Sequence, residues 1–221
     1  TGVIQPLDEI AESISSADAF FHVDAAQGFG KELALLKNRR IDMISVSGHK
    51  IHAPAGIGAL IARTQRRAKR ALKPLVVGGQ QERGLRAGTL PTPLICSFGQ
   101  ASELAISTHE ERRSHWQIVA ESLLSYFSPL PVEINGDENR LLMNAYNFYI
   151  PNFDGDWLVL KLKSHIAIAT GSACTSESVT PSHVLSAMGI DPLGLECSVR
   201  ASWSHLTPVI PQALKATDML S

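Results

Sequence analysis

Cysteine is scarce in this chain. Three residues, Cys96, Cys174 and Cys197, are scattered over 221 positions. An odd number without paired spacing encodes neither a disulfide framework nor a zinc site. Charge of one sign is lacking as well: the formal net charge is −1, and steering onto nucleic acid or an anionic membrane needs a strong excess of one sign. No apolar run approaches the roughly 20 residues of a membrane helix, and no basic-then-apolar leader opens the chain. The expectation is a soluble, cytoplasmic protein with no membrane partner. The eight histidines lack metal-ligand spacing: His49 and His52 enclose a lysine and have no acidic neighbour, so no metal is expected. No internal repeat or low-complexity tract occurs.

What the chain does contain is an ordinary globular composition, 44% hydrophobic and 19% charged, long enough for one large domain or two small ones. It opens at Thr1 without strand or capping context, which reads as an internal cut. Apolar spacing predicts a helix over Asp8–Ser16. The runs Ala19–Ala25, Asp42–Gly48 and Ile57–Arg63 are continuous rather than alternating, as in strands buried on both faces of a mixed or parallel sheet. Arg63–Lys73 carries six basic residues in eleven. With no aromatics interleaved it reads as solvated surface, and no direct nucleic-acid binding is expected. Gly78–Thr89 is a glycine-punctuated loop.

Beyond Pro91 and Pro93, apolar positions step by three and four from Leu94 to Phe127 and predict one long connecting helix, ended by the prolines at 129 and 131. The rest reads as a small α+β domain. Strands are expected at Val132–Asn135, Asn144–Ile150, Ile166–Gly171 and Cys197–Trp203. Helices are expected at Asp154–Ser164, with Asp154 or Asp156 as N-cap, and at Pro181–Gly189. The expected domains are 1–93, a connecting helix 94–128, and 129–221.

Two polar residues stand at the ends of apolar strands. Asp24 closes "HVDAAQ" and Lys50 follows "SVSGHK". The carboxyl ends of strands in α/β sheets are where sites are built, and a lysine there loses hydration at a cost. Taken singly, Asp24 reads as a cap or turn residue and Lys50 as a surface lysine. Taken together, an acid to keep a pyridine nitrogen protonated and an amine to bind an aldehyde suit pyridoxal phosphate. Ser47 and His49 flank the lysine and could donate to the phosphate, and Gln27 could reach the ring hydroxyl.

Four segments in order, "HVDAAQGFGK", "DMISVSGHKIHAPAGIGALIAR", "GGQQERGLRAGTLP" and "ATGSACTSES", closely resemble those of cysteine desulfurases. These are fold type I pyridoxal phosphate enzymes of the class V aminotransferase superfamily. The likeness runs from Thr1 to about Thr207, and the "GSACTS" loop is similar to the class I branch. The implied fold is α/β: the C-terminal part of the large domain, a mostly parallel sheet with helices, plus a small α+β domain. The resemblance implies that Lys50 binds the cofactor covalently and Asp24 pairs with the pyridine nitrogen. It implies Gln27 on the ring oxygen, and Ser47 and His49 on the phosphate. Thr89 would reach the phosphate of a partner subunit's cofactor, hence a homodimer. Arg200 would clamp the substrate carboxylate, and Cys174 would be the nucleophile that takes sulfur from L-cysteine, leaving alanine and a persulfide.

The implied partners are a sulfur-acceptor or scaffold protein serving iron–sulfur assembly, tRNA thiolation or DNA phosphorothioation. Cys96 and Cys197 read as structural. Departures from the family pattern fall at Gln80, where a third glycine is usual, and at Ser204 and His205. Family chains begin well before the position matching Thr1; that part carries a phosphate-binding threonine and a ring-stacking histidine, so the isolated chain is expected to be inactive. The alternatives are a non-catalytic piece that only binds a subunit or acceptor, or another class V transferase; Cys174 in its loop disfavours the latter.

Overall fold

A computed structural model describes residues 1–63, 72–171 and 182–220. Two compact units divide the chain: Pro6–His109, and Thr1–Gln5 together with Glu110–Ser221.

The first unit begins with helix α1 (Leu7–Ser13), whose first turn carries Asp8 and Glu9, favourable to the helix dipole. Strands β1 (His22–Asp24), β2 (Met43–Ser47) and β3 (Gly58–Ala62) form a sheet in that order. β1 and β2 run parallel, with Asp24 opposite Ser45; β2 and β3 run antiparallel, with Ser47 opposite Gly58. The expected mostly parallel sheet is therefore mixed here. Ten residues separate Ser47 from Gly58, too few for a parallel crossover, so β3 folds straight back.

Burial on both faces is not found either. In β1 only Val23 is buried, between exposed His22 and Asp24. One face carries the core, where Leu7, Ile10 and Ala11 of α1 pack on Phe21, Val23 and Val46. The other face is open and polar along β1 and β2.

The amino end of this sheet is locked by a buried ion pair. Arg40 Nη1 lies 2.8 Å from Asp42 Oδ2, and the same oxygen accepts the Phe21 N–H at 2.9 Å. Arg40 also donates to the carbonyls of Ile14 and Ala19. All three guanidinium nitrogens of Arg40 and Oδ2 of Asp42 thus have partners, which a pair taken out of water requires.

The expected single helix 94–127 is two helices, α2 (Thr92–Ser107) and α3 (His109–Phe127), one in each unit. The reason is local. The Thr108 N–H, the Thr108 hydroxyl and the Ser107 hydroxyl all donate to the Leu104 carbonyl, at 3.0, 2.7 and 3.4 Å. Such side-chain bonds compete with the helical ladder, although the apolar spacing continues through them. α2 places Ala101 and Ala105 on Ile51 and Ala53.

The second unit is an antiparallel sheet, β4 (Glu133–Ile134), β5 (Ala145–Tyr149), β6 (Ala169–Thr170) and β7 (Ser198–Ser202), in the order β4-β5-β7-β6. Its core joins Trp116, Leu123 and Phe127 of α3 to Phe148, Val199 and Trp203. Helix α4 (Gly155–Leu162) is capped by Asp154, which accepts the Trp157 N–H at 2.8 Å. Helix α5 (His183–Ala187) is capped by Ser182. Two short helices were not expected: α6 (Pro192–Cys197), with Asp191 capping and proline in its first turn, and α7 (Thr217–Leu220). Among the described residues no helix is long and apolar enough to cross a membrane, and no cluster of ligands suits a metal ion.

Candidate active site

Parallel pairing brings the carboxyl ends of β1 and β2 to the same edge of one sheet, and most of the singled-out polar residues gather there. Asp24 ends β1, exposed, with Oδ1 accepting the Ala26 N–H at 2.9 Å. That bond caps the turn after the strand and holds the carboxylate by one oxygen. Beside it, His22 Nε2 and Ser45 Oγ share a hydrogen bond of 3.1 Å across the two strands. At the end of β2, Ser47 Oγ and His49 Nδ1 share another, at 3.0 Å.

Lys50 lies in a 3-10 turn, Gly48–Ile51, immediately beyond β2. Gly48 and Ile51 are buried, while His49 and Lys50 are exposed. The expected desolvation of Lys50 is therefore absent in this chain: the turn points its buried positions at α2 and its cationic ones outward. Gly48 has no room for a side chain. A Cβ there would stand 2.8 Å from Ile57 Cγ2 and 3.0 Å from the Ile57 carbonyl oxygen. Its N–H donates to that same carbonyl, so the turn is pinned against the start of β3. His52 ends the turn at φ 72°, in the left-handed region.

Gln27 lies in the turn that follows Asp24. Its Oε1 accepts from Lys31 Nζ at 3.3 Å. Burial, and then the neighbouring charge of Lys50, bring the Lys31 ammonium down to about 8, against an opposing pull from Glu32. Local spacing offers no cue for Lys31 beyond its place four residues after Gln27.

Thr89 is exposed in the segment before α2 and makes no hydrogen bond to these side chains. Arg200 belongs to the other unit. It is exposed on β7, opposite Asn147 of β5 and Ala169 of β6. β6 ends at Thr170, so Arg200 stands beside the strand that leads into the "GSACTS" segment. Cys174 lies outside the described residues. Of the other cysteines, Cys96 is exposed on α2, and Cys197 is buried, with its thiol pushed up by that burial.

The Aminotransferase class-V family matches residues 1–208, and the chain belongs to it. The cysteine desulfurase IscS of Rickettsia felis is 42% identical over 208 residues, covering 93% of this chain and 50% of that protein. Among solved structures, DndA from Streptomyces lividans matches with a TM-score of 0.77 at 42% identity, covering 92% of this chain and 57% of that one. A protein described as NifS-like matches with a TM-score of 0.80 at 30% identity, covering 94% and 53%. The chain spans about half the length of the curated relatives it matches.

Proposed function

We propose that the protein carrying this chain is a pyridoxal-phosphate-dependent cysteine desulfurase, turning L-cysteine into L-alanine and passing the sulfur to an acceptor through Cys174. One observation carries the reading: Asp24 and the Gly48–Ile51 turn bearing Lys50 lie at the same edge of a parallel strand pair, in a chain of the Aminotransferase class-V family. The IscS relatives, named as cysteine desulfurases, give the substrate class.

The donors fit the cofactor. Asp24 offers a carboxylate to a protonated ring nitrogen, and the Gln27 amide offers a donor to the ring oxygen. The Ser47 hydroxyl and the His49 ring, already bonded to each other, offer donors to a phosphate at the end of β2. Pyridoxal phosphate, when bound, supplies an electron sink for the charge left at the substrate α-carbon. Lys50 supplies the amine that holds the aldehyde and, once released, the base that takes the α-proton. Arg200 binds the substrate carboxylate through its planar fork. The Cys174 thiolate forms an S–S bond to the substrate sulfur as the substrate Cβ–S bond breaks; the bonding pair stays with Cβ, which takes up a proton to become the methyl group of alanine, and the enzyme keeps the persulfide.

The same reading makes residues 1–93 part of a cofactor-binding domain, 94–128 its connector and 129–221 the domain bearing the cysteine. It assigns Thr89 to the phosphate of a partner subunit's cofactor in a homodimer. A sulfur-acceptor or scaffold protein completes it, in iron–sulfur assembly, tRNA thiolation or DNA phosphorothioation, in the cytoplasm.

The test uses the full-length protein. With pyridoxal phosphate it is expected to show the visible absorbance of bound cofactor and to release alanine and sulfide in equal amounts from cysteine plus a thiol reductant. Cys174→Ala keeps the absorbance and stops the sulfide; Lys50→Ala removes the covalent attachment trapped by borohydride. Undiminished sulfide from Cys174→Ala overturns the reading.

A further inference from the structure

We infer that Lys31 is a positioning residue that fixes which end of the Gln27 carboxamide faces the cofactor. The inference rests on the cofactor site proposed above. Gln27 can present either a carbonyl oxygen or an NH2 group, and only the NH2 donates to a ring oxygen. An ammonium has donors and no acceptor, so whichever end meets Lys31 Nζ must be the carbonyl. The 3.3 Å contact between Lys31 Nζ and Gln27 Oε1 therefore leaves Nε2 as the end available to a ligand. Without that lysine the amide is free to flip, and a carbonyl would meet the ring oxygen as acceptor against acceptor.

Lys31 is itself held in place. The turn after β1 is closed by the Phe29 N–H on the Ala25 carbonyl and the Lys31 N–H on the Gly28 carbonyl, each within 2.9 Å. At Gly30 (φ 77°) the backbone passes so near Ile51 that a Cβ would lie 2.9 Å from its Cγ2. On the far side, His109 Nε2 bonds the Lys31 carbonyl oxygen at 2.9 Å. A surface lysine has no such fixtures. The ammonium is half-buried and within electrostatic range of Lys50, with Glu32 opposing. A buried cation costs free energy, and its hydrogen bond to Gln27 is the contact that gives that cost a return at the cofactor site.

The experiment is a double-mutant cycle in the full-length protein, reading pyridoxal phosphate Kd by absorbance titration and the position of the bound cofactor's visible band. Lys31→Met is expected to weaken cofactor binding about five-fold, the scale of one hydrogen bond, and to move the band as Gln27→Ala does. Lys31→Arg, which keeps a donor, should bind within about two-fold of wild type, also on the scale of a retained hydrogen bond. In the Gln27→Ala background, Lys31→Met should add nothing. An equal loss from Lys31→Met in both backgrounds overturns the inference, because the lysine would then act independently of Gln27. A Lys31→Met protein that binds like wild type, while Gln27→Ala is impaired, overturns the inference alone. Unimpaired binding by Gln27→Ala overturns the assignment of Gln27 to the ring oxygen, and the inference with it.

Discussion

Asp42 and Lys31 show how single charges organise opposite ends of one small sheet. Asp42 is 2% exposed and is shared by the Arg40 guanidinium and the Phe21 N–H. Removing one partner of a buried pair leaves the other uncompensated, so Asp42→Ala should lower unfolding stability by about 3–5 kcal/mol, read by denaturant titration of the full-length protein. A loss under about 1 kcal/mol would place the pair among surface ion pairs and sink the account of it as the lock of the amino end. At the carboxyl end exposed histidines are bonded to half-buried serines in short pairs, His22 with Ser45 and His49 with Ser47. They are held in place yet accessible, which is what ligand donors require. Asp24, Ser47, His49 and Lys50 were legible as residue types because polar groups at strand ends stand out against apolar runs. Arg40, Asp42 and Lys31 were not, because their roles depend on partners between 2 and 26 residues away, and no periodicity encodes such pairs.

Secondary structure followed local chemistry closely wherever a cap or spacing was decisive. Asp154 caps α4, one of the two acids expected there, and the three strands of the first sheet fall inside the runs that predicted them. The long helix failed because the backbone leaves helical geometry at Thr108 (φ −106°, ψ 18°), where the Ser107 and Thr108 hydroxyls add their bonds to the Leu104 carbonyl, a local ending that apolar spacing does not register. The 3-10 turn at Gly48 is the element on which the candidate site depends most. Adding a methyl there forces Ile57 or the turn to shift, and overpacking of this kind costs about 1–3 kcal/mol. Gly48→Ala should therefore weaken pyridoxal phosphate binding by more than ten-fold (about 1.4 kcal/mol) in the full-length protein while leaving far-UV circular dichroism unchanged. Normal cofactor affinity in that variant would show that the turn tolerates displacement and does not position Lys50.

At the scale of the molecule, the first sheet carries more apolar surface than its own unit covers. Leu60 and Ile61 of β3 are about half exposed. Both outer strands of the sheet have an unpaired edge among the described residues, a surface that invites further pairing. The isolated 221-residue chain should therefore self-associate with rising concentration in sedimentation velocity and release no alanine from cysteine at a useful rate. A monodisperse chain with robust turnover would overturn this. The sequence by itself determined the family, the order of the strands, and the chemical identity of the strand-end residues, because motifs and apolar periodicity are written in neighbouring positions. Only the tertiary structure decided that β3 turns back antiparallel, that one face of the sheet is open, and that Lys31 grips Gln27. Those outcomes depend on loop reach, on burial and on the shape of the turn that brings Lys31 back to Gln27, which exist only once the chain has folded.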